Sequence, residues 1–195
     1  MTDREIRLFA QPLELRAAAP DAPVTVVGYA AVFNQATAIG DMFEEVIAPG
    51  AFTEALRRGD DAAFLINHEG LPLARTSSGT LKLAEDSRGL RIETDLDPAD
   101  PDVARILPKM RRGDLTKMSF AFRATRQEWE DRDPLPRRTI LEVELFDVSI
   151  VTDPAYAGTE IGLRAMAAAL GRASRSAATI AARMARKARL ARLAG

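Results

Sequence analysis

Cysteine is absent from this chain, and histidine occurs once, at position 68. The first absence removes structural disulfides, thiolate metal sites and cysteine nucleophiles. The second leaves only carboxylates to share a cation with His68, and these are scattered, without calcium-loop spacing. No metal site and no cofactor are therefore expected. A Walker pattern and a glycine-rich strand-to-helix turn are also missing, so no phosphate cradle is expected. No apolar run approaches the roughly 18 residues that span a bilayer. Residues 1–8 include Asp3 and Glu5 and do not read as a secretory signal. A cytoplasmic product without a membrane anchor is the expectation.

What is present fits a globular domain, with 47% hydrophobic and 28% charged residues. A length of 195 residues suits one sizeable core better than two full domains. The net charge of −1 conceals an asymmetry. From Arg164 onward there are eight Lys or Arg and no Asp or Glu, whereas the preceding chain holds 19 basic and 28 acidic residues, a net of −9. The expected division is an acidic body over 1–160 and a basic Ala/Arg-rich tail over 161–195. Within the tail, 166–193 reads as a helix by propensity, softened near Gly171 to Ser176.

The body is dominated by strand signals. Val24 to Phe33 is rich in β-branched and aromatic residues, with Gly28 marking a bulge or a close backbone approach. Ala62 to Asn67 is a short apolar run that ends just before His68. Thr80 to Leu83 and Leu90 to Leu96 flank a turn over Glu85 to Gly89, and the second of them alternates apolar and charged residues. Lys117 to Glu130 and Arg138 to Val151 are long strand-like segments, joined by the proline-containing loop 131–136. Two helices interrupt the strands. Gly50 to Arg58 follows Pro49. Asp100 to Asp114 has Asp100 as cap, Pro101 in the first turn, Val103, Ile106, Leu107 and Met110 at helical spacing, and Gly113 as stop. Pro108 is expected to kink or shorten it. A mainly β, α+β fold with a mainly antiparallel sheet or barrel follows.

Acyl transfer is the chemistry left open by these absences. It needs a nucleophile, a base and a group that orients the base. His68 is the one side chain whose ordinary pKa lies near neutrality. Ser119 shares a strand face with Ala121, opposite Met118, Phe120 and Phe122, so a substrate has room beside its hydroxyl. Asp147 and Ser149 share the face opposite Phe146, Val148 and Ile150, and a carboxylate so flanked needs a partner when buried. Taken singly, each has an ordinary reading: a surface or core histidine, a strand serine, a solvent-facing aspartate.

Read together, the segments resemble the prohead proteases of tailed phages, serine peptidases related in fold to the herpesvirus assemblins. The resemblance runs from Val27 to Ala155 through Gly28-Tyr29-Ala30-Ala31-Val32-Phe33-Asn34 and Glu45-Val46-Ile47-Ala48-Pro49-Gly50-Ala51-Phe52. It continues through Asn67-His68, Leu73-Ala74-Arg75-Thr76, Ser78-Gly79-Thr80-Leu81, Arg88-Gly89-Leu90 and Arg112-Gly113-Asp114-Leu115. It ends with Met118-Ser119-Phe120-Ala121-Phe122, Val148-Ser149-Ile150-Val151 and Pro154-Ala155.

The resemblance implies an antiparallel, barrel-like assemblin-type fold followed by a helical tail, with His68 as base and Ser119 as nucleophile. The family's third member is an acidic residue just before the Val-Ser-Ile-Val stretch. Here Asp147 holds that place, where many relatives have glutamate, and Glu142 and Glu144 are the alternatives. Arg75 either shapes the site or forms a structural ion pair. The implied activity is cleavage of the major capsid protein's scaffolding segment, of scaffold protein or of both, and of the enzyme itself, inside the immature capsid in a bacterial cytoplasm. A homodimer, as in the herpesvirus relatives, or a higher assembly inside the prohead is implied. The tail is open to three readings: a solvated helix, a docking element for acidic scaffold or capsid surface, or a polyanion and nucleic-acid binder. The Arg/Ala-rich usage fits a GC-rich bacterial genome, hence a prophage or gene transfer agent. The rival function is a catalytically silent assembly or scaffolding protein with the same fold.

Overall fold

The computed structural model describes residues 4–9, 13–17 and 22–152. The expected tail helix and the boundary at residue 160 lie outside the described residues. In chain order the elements are β1 (Glu5–Phe9), β2 (Glu14–Ala17), β3 (Val24–Val32), β4 (Thr37–Ile39), β5 (Phe43–Ile47), α1 (Thr53–Arg58) and β6 (Ala63–Ile66). There follow β7 (Glu69–Arg75), β8 (Leu81–Glu85), β9 (Gly89–Leu96), α2 (Pro101–Arg112), β10 (Lys117–Glu130) and β11 (Arg137–Val151).

The strands form two sheets. One runs β1-β10-β11-β5-β4, with β6 also on β11 and β7 on β6; the other is β2-β3-β9-β8. The mainly β class agrees with the sequence. The barrel-like closure does not: among the described residues neither sheet closes, and the mainly antiparallel pairing is interrupted by two parallel ones. The cause is the length of β11. One edge pairs with β10 along most of its 15 residues. The other edge is divided between β5, parallel at Arg137 to Ile140, and β6, parallel at Asp147 to Ile150.

Local chemistry explains where the elements start and stop. Asp100 caps α2 by accepting from the Asp102 amide at 2.8 Å, and Gly113 closes it at φ 84°. Pro108 does not shorten α2; it and Ala104, whose carbonyl it deprives of the usual helical partner, are both exposed. α1 starts at Thr53, later than expected, because Gly50 holds φ 87° and cannot belong to a right-handed helix. The Asp86 carboxylate builds the β8–β9 turn by accepting from the amides of Arg88 and Gly89 at 2.7 and 3.1 Å. A Cβ at Gly89 would collide with the Ala31 carbonyl beside the β3 bulge between Tyr29 and Ala31, so only glycine fits. At Gly28 the close approach comes from the Leu13 side chain.

β6 and β7 are joined by two residues, Asn67 and His68, at φ 53° and 63°. Positive φ at both positions is the primed hairpin turn that matches strand twist, and asparagine tolerates it well. The turn is tied to the end of β11: the Asn67 amide donates to the Ile150 carbonyl, and Asn67 Oδ1 accepts from the Thr152 amide, both at 3.0 Å.

The core lies between the sheets. Met118, Phe120 and Phe122 of β10 are buried there with Val148 and Ile150 of β11, Ile92 of β9 and the apolar stripe of α2. Phe52 packs edge-on to Phe120, with ring centres 5.5 Å apart.

One part of the interior is ionic. Glu5 and Arg7 of β1, Glu45 of β5 and Arg138 of β11 are all buried, and Arg138 is fully so. Arg138 grips both Glu5 oxygens at 2.5 and 2.8 Å, and Arg7 grips both Glu45 oxygens at 2.5 and 2.9 Å. Cross-links from Arg7 to Glu5 at 2.7 Å and from Arg138 to Glu45 at 2.8 Å complete a charge-neutral quartet. Bidentate geometry and full pairing are what make such burial tolerable.

Two outcomes follow. Arg138→Met leaves two buried carboxylates sharing one guanidinium, and is expected to destabilise the fold by about 3–5 kcal/mol in urea denaturation. Burial pushes the Glu5 carboxyl up, but hydrogen bonding and attraction from Arg138, aided by Arg7, hold it below its ordinary value. Its stabilisation is therefore full above the ordinary glutamate range and lost as pH falls through the lowered folded value. Acid titration of stability, compared with Glu5→Gln, is expected to show that loss in the parent and a flatter profile in the variant.

Candidate active site

The face of the first sheet opposite the core carries the polar residues singled out in the sequence. Ser119 of β10 stands directly across from Ser149 of β11, and Ala121 across from Asp147. On the other flank of β10, Leu8 and Ile6 of β1 pair with Ser119 and Ala121. The parallel pairing of Asp147 to Ile150 with Ala63 to Ile66 then delivers the β6–β7 turn to the same place. His68, on that turn, reaches back across β11 towards β10.

Its ring joins the other two residues. His68 Nδ1 lies 2.6 Å from Asp147 Oδ1, and His68 Nε2 lies 2.7 Å from Ser119 Oγ. A carboxylate on Nδ1 favours the tautomer with the proton there, and this leaves the Nε2 lone pair facing the hydroxyl. All three side chains are nearly buried; Ser119 is 1% exposed. Glu142 and Glu144 do not approach the ring. Glu142 faces Arg58 and Arg126 at 3.9 and 3.7 Å, and Glu144 pairs with Arg123. Arg75 forms a half-exposed ion pair with Asp61 at 3.2 Å.

Three participants had no assigned place in the sequence. Ser149 Oγ donates to Asp147 Oδ1 at 2.9 Å and lies 3.2 Å from His68 Nδ1. The Arg4 guanidinium pairs with Asp147 Oδ2, so both carboxylate oxygens are occupied. The Arg7 carbonyl lies 2.9 Å from Ser119 Oγ and competes with His68 for the single hydroxyl proton. Ser149 was visible as the i+2 neighbour of Asp147 on one strand face. Nothing in the sequence pointed to Arg4 or Arg7, because their contacts depend on β1 lying beside β10. Among the described residues, no three His, Asp or Glu side chains converge to share a cation.

Beside the hydroxyl lies a cavity of about 220 Å³, walled by Ile6 and Leu8 on one side and by Val151, Thr152, Asn67 and His68 on the other. A reactant entering it would meet Ser119 Oγ with the imidazole already in hydrogen-bond reach. A hydroxyl, an imidazole lone pair and a carboxylate in series are the parts that acyl transfer requires.

Comparison with known proteins supplies the family. The caudovirus prohead serine protease family model matches residues 11–172. The prohead protease of Enterobacteria phage HK97 is 32% identical over 144 residues, covering 71% of this chain and 58% of that protein. The chain thus matches less than two thirds of that relative's length. No solved structure matches the chain. No helix among the described residues is long and apolar enough to cross a membrane. With a family match spanning most of its length, the chain belongs to the prohead serine proteases of tailed phages.

Proposed function

We propose that the chain is a capsid-maturation serine endopeptidase that works through an acyl-enzyme. The observation that supports this most is the continuous hydrogen-bonded series from Asp147 Oδ1 through His68 to Ser119 Oγ, at 2.6 and 2.7 Å. Membership of a prohead protease family supports a substrate among the proteins of the immature capsid, and the proposed substrates are the scaffolding segment of the major capsid protein or separate scaffold, and the enzyme itself. The site of action would be the interior of the immature capsid.

In this reading Ser119 Oγ forms a bond to the peptide carbonyl carbon while its proton passes to His68 Nε2. Nδ1–H stays bonded to Asp147, whose negative charge stabilises the imidazolium. Collapse of the tetrahedral intermediate breaks the C–N bond, and His68 Nε2 returns the proton to the departing amine. Water then repeats the sequence on the ester and frees Ser119. The hydroxyl must point to His68 for the first step, so rotation away from the Arg7 carbonyl precedes attack.

Co-expression with the major capsid protein of the same genome, followed by intact-mass measurement of both products, tests the function. Shortened capsid protein, dependent on Ser119, is the expected result. Intact capsid protein in assembled particles that contain the folded chain would instead favour a silent assembly protein. Asp147→Asn is expected to lower kcat by about four orders of magnitude, by presenting the wrong hydrogen-bond partner to Nδ1, with little change in KM. Steady-state kinetics on a peptide spanning the mapped cleavage site would measure it.

A further inference from the structure

Among the polar groups of this site, the buried hydroxyl of Ser149 has no part in the transfer chemistry. It is fully enclosed, so its bonding is wholly internal. It stands across the β10–β11 ladder from Ser119, which places it on the floor of the site beneath the imidazole. Its oxygen lies 2.9 Å from Asp147 Oδ1 and 3.2 Å from His68 Nδ1, closing a triangle whose third side is the 2.6 Å contact between those two atoms. Its one proton goes to the carboxylate, which accepts only. Its lone pairs then face the Nδ1–H, so that proton has two acceptors on adjacent sides of the ring.

We propose that Ser149 is a positioning residue: its hydroxyl fixes the plane and tautomer of His68 and the orientation of the Asp147 carboxylate. Two acceptors on Nδ1–H define a ring orientation more sharply than one, because rotation about χ2 that keeps one contact lengthens the other. The need is real at this position. His68 sits in a two-residue turn at φ 63° and reaches across a neighbouring strand, with backbone contacts from the turn to β11 made through Asn67 rather than through itself. Strand alternation keeps Ser149 and Asp147 on one face at a fixed separation, so the clamp is rigid on the β11 side. The proposal rests on reading His68 as the base, but the ring's orientation can be read without turnover.

A sole histidine makes the test direct, since ¹⁵N-histidine labelling gives one imidazole pattern. At a pH where the ring is neutral, the parent protein is expected to show the Nδ1–H tautomer alone. Ser149→Ala, which removes one oxygen atom, is expected to move both ring-nitrogen shifts towards their tautomer-averaged values. It is also expected to lower kcat about tenfold, the rate equivalent of one neutral hydrogen bond, with KM within about twofold. Ser149→Thr, which keeps the oxygen, is expected to restore both readouts. Where the extra methyl is not accommodated, Ser149→Ala decides alone. Unchanged nitrogen shifts in Ser149→Ala would overturn the proposal whatever happens to turnover, as would a folded Ser149→Thr that matches Ser149→Ala. A parent protein with the single tautomer but no peptidase activity would sink the proposed function and leave the positioning role standing.

Discussion

The parallel pairing of β6 with the last third of β11 is the constraint on which the site depends. Through it, Ala63 to Ile66 run beside Asp147 to Ile150. The turn that follows β6 must then emerge within one side-chain length of Asp147. Shift that register by one residue and Asp147 and Ser149 point into the core, while Val148 and Ile150 face outward. The register is held by its apolar side. Phe64 of β6 and Val148 and Ile150 of β11 are all buried in the same cluster, so the hydrophobic effect that packs the core also aligns the polar face above it.

The N-terminal strand is a second support, and it is built inside out. Glu5 and Arg7 point into the protein, and Ile6 and Leu8 point towards the site. Burying two charges is acceptable only because Glu45 and Arg138 neutralise them, and those residues come from strands some 40 and 130 positions away. Each half of the quartet carries one acid and one base, so no net charge is buried by docking β1. The strand thereby contributes a wall of the cavity and a carbonyl competing for the Ser119 proton, and Arg4, just before it, sets a cation on Asp147.

Most of the strand pattern and both helices could be read from local signals. The Met118, Phe120, Phe122 alternation places Ser119 on the outer face, and the Asp100, Pro101 and Gly113 signals bound α2. His68, Ser119 and Asp147 were singled out as candidates by residue type and resemblance, and the fold brings them together. β1 was not legible, because its buried positions are charged and its half-exposed ones aliphatic, the reverse of the usual alternation. The division of one β11 edge between β5 and β6 was also hidden, since parallel pairing is a nonlocal choice made by the connecting segments. Arg4 and Ser149 belong to the same class: their roles exist only once distant strands are in register.

Under the proposed function, the His68 imidazole and the buried Ser119 hydroxyl form one reactive unit. Treatment of the folded protein with a fluorophosphonate, followed by peptide mapping, tests it most directly. A single adduct on Ser119, abolished when His68 is replaced by alanine, is the expected result. A folded protein that takes up no label, or takes it up elsewhere with Ser119 unmodified, would contradict it.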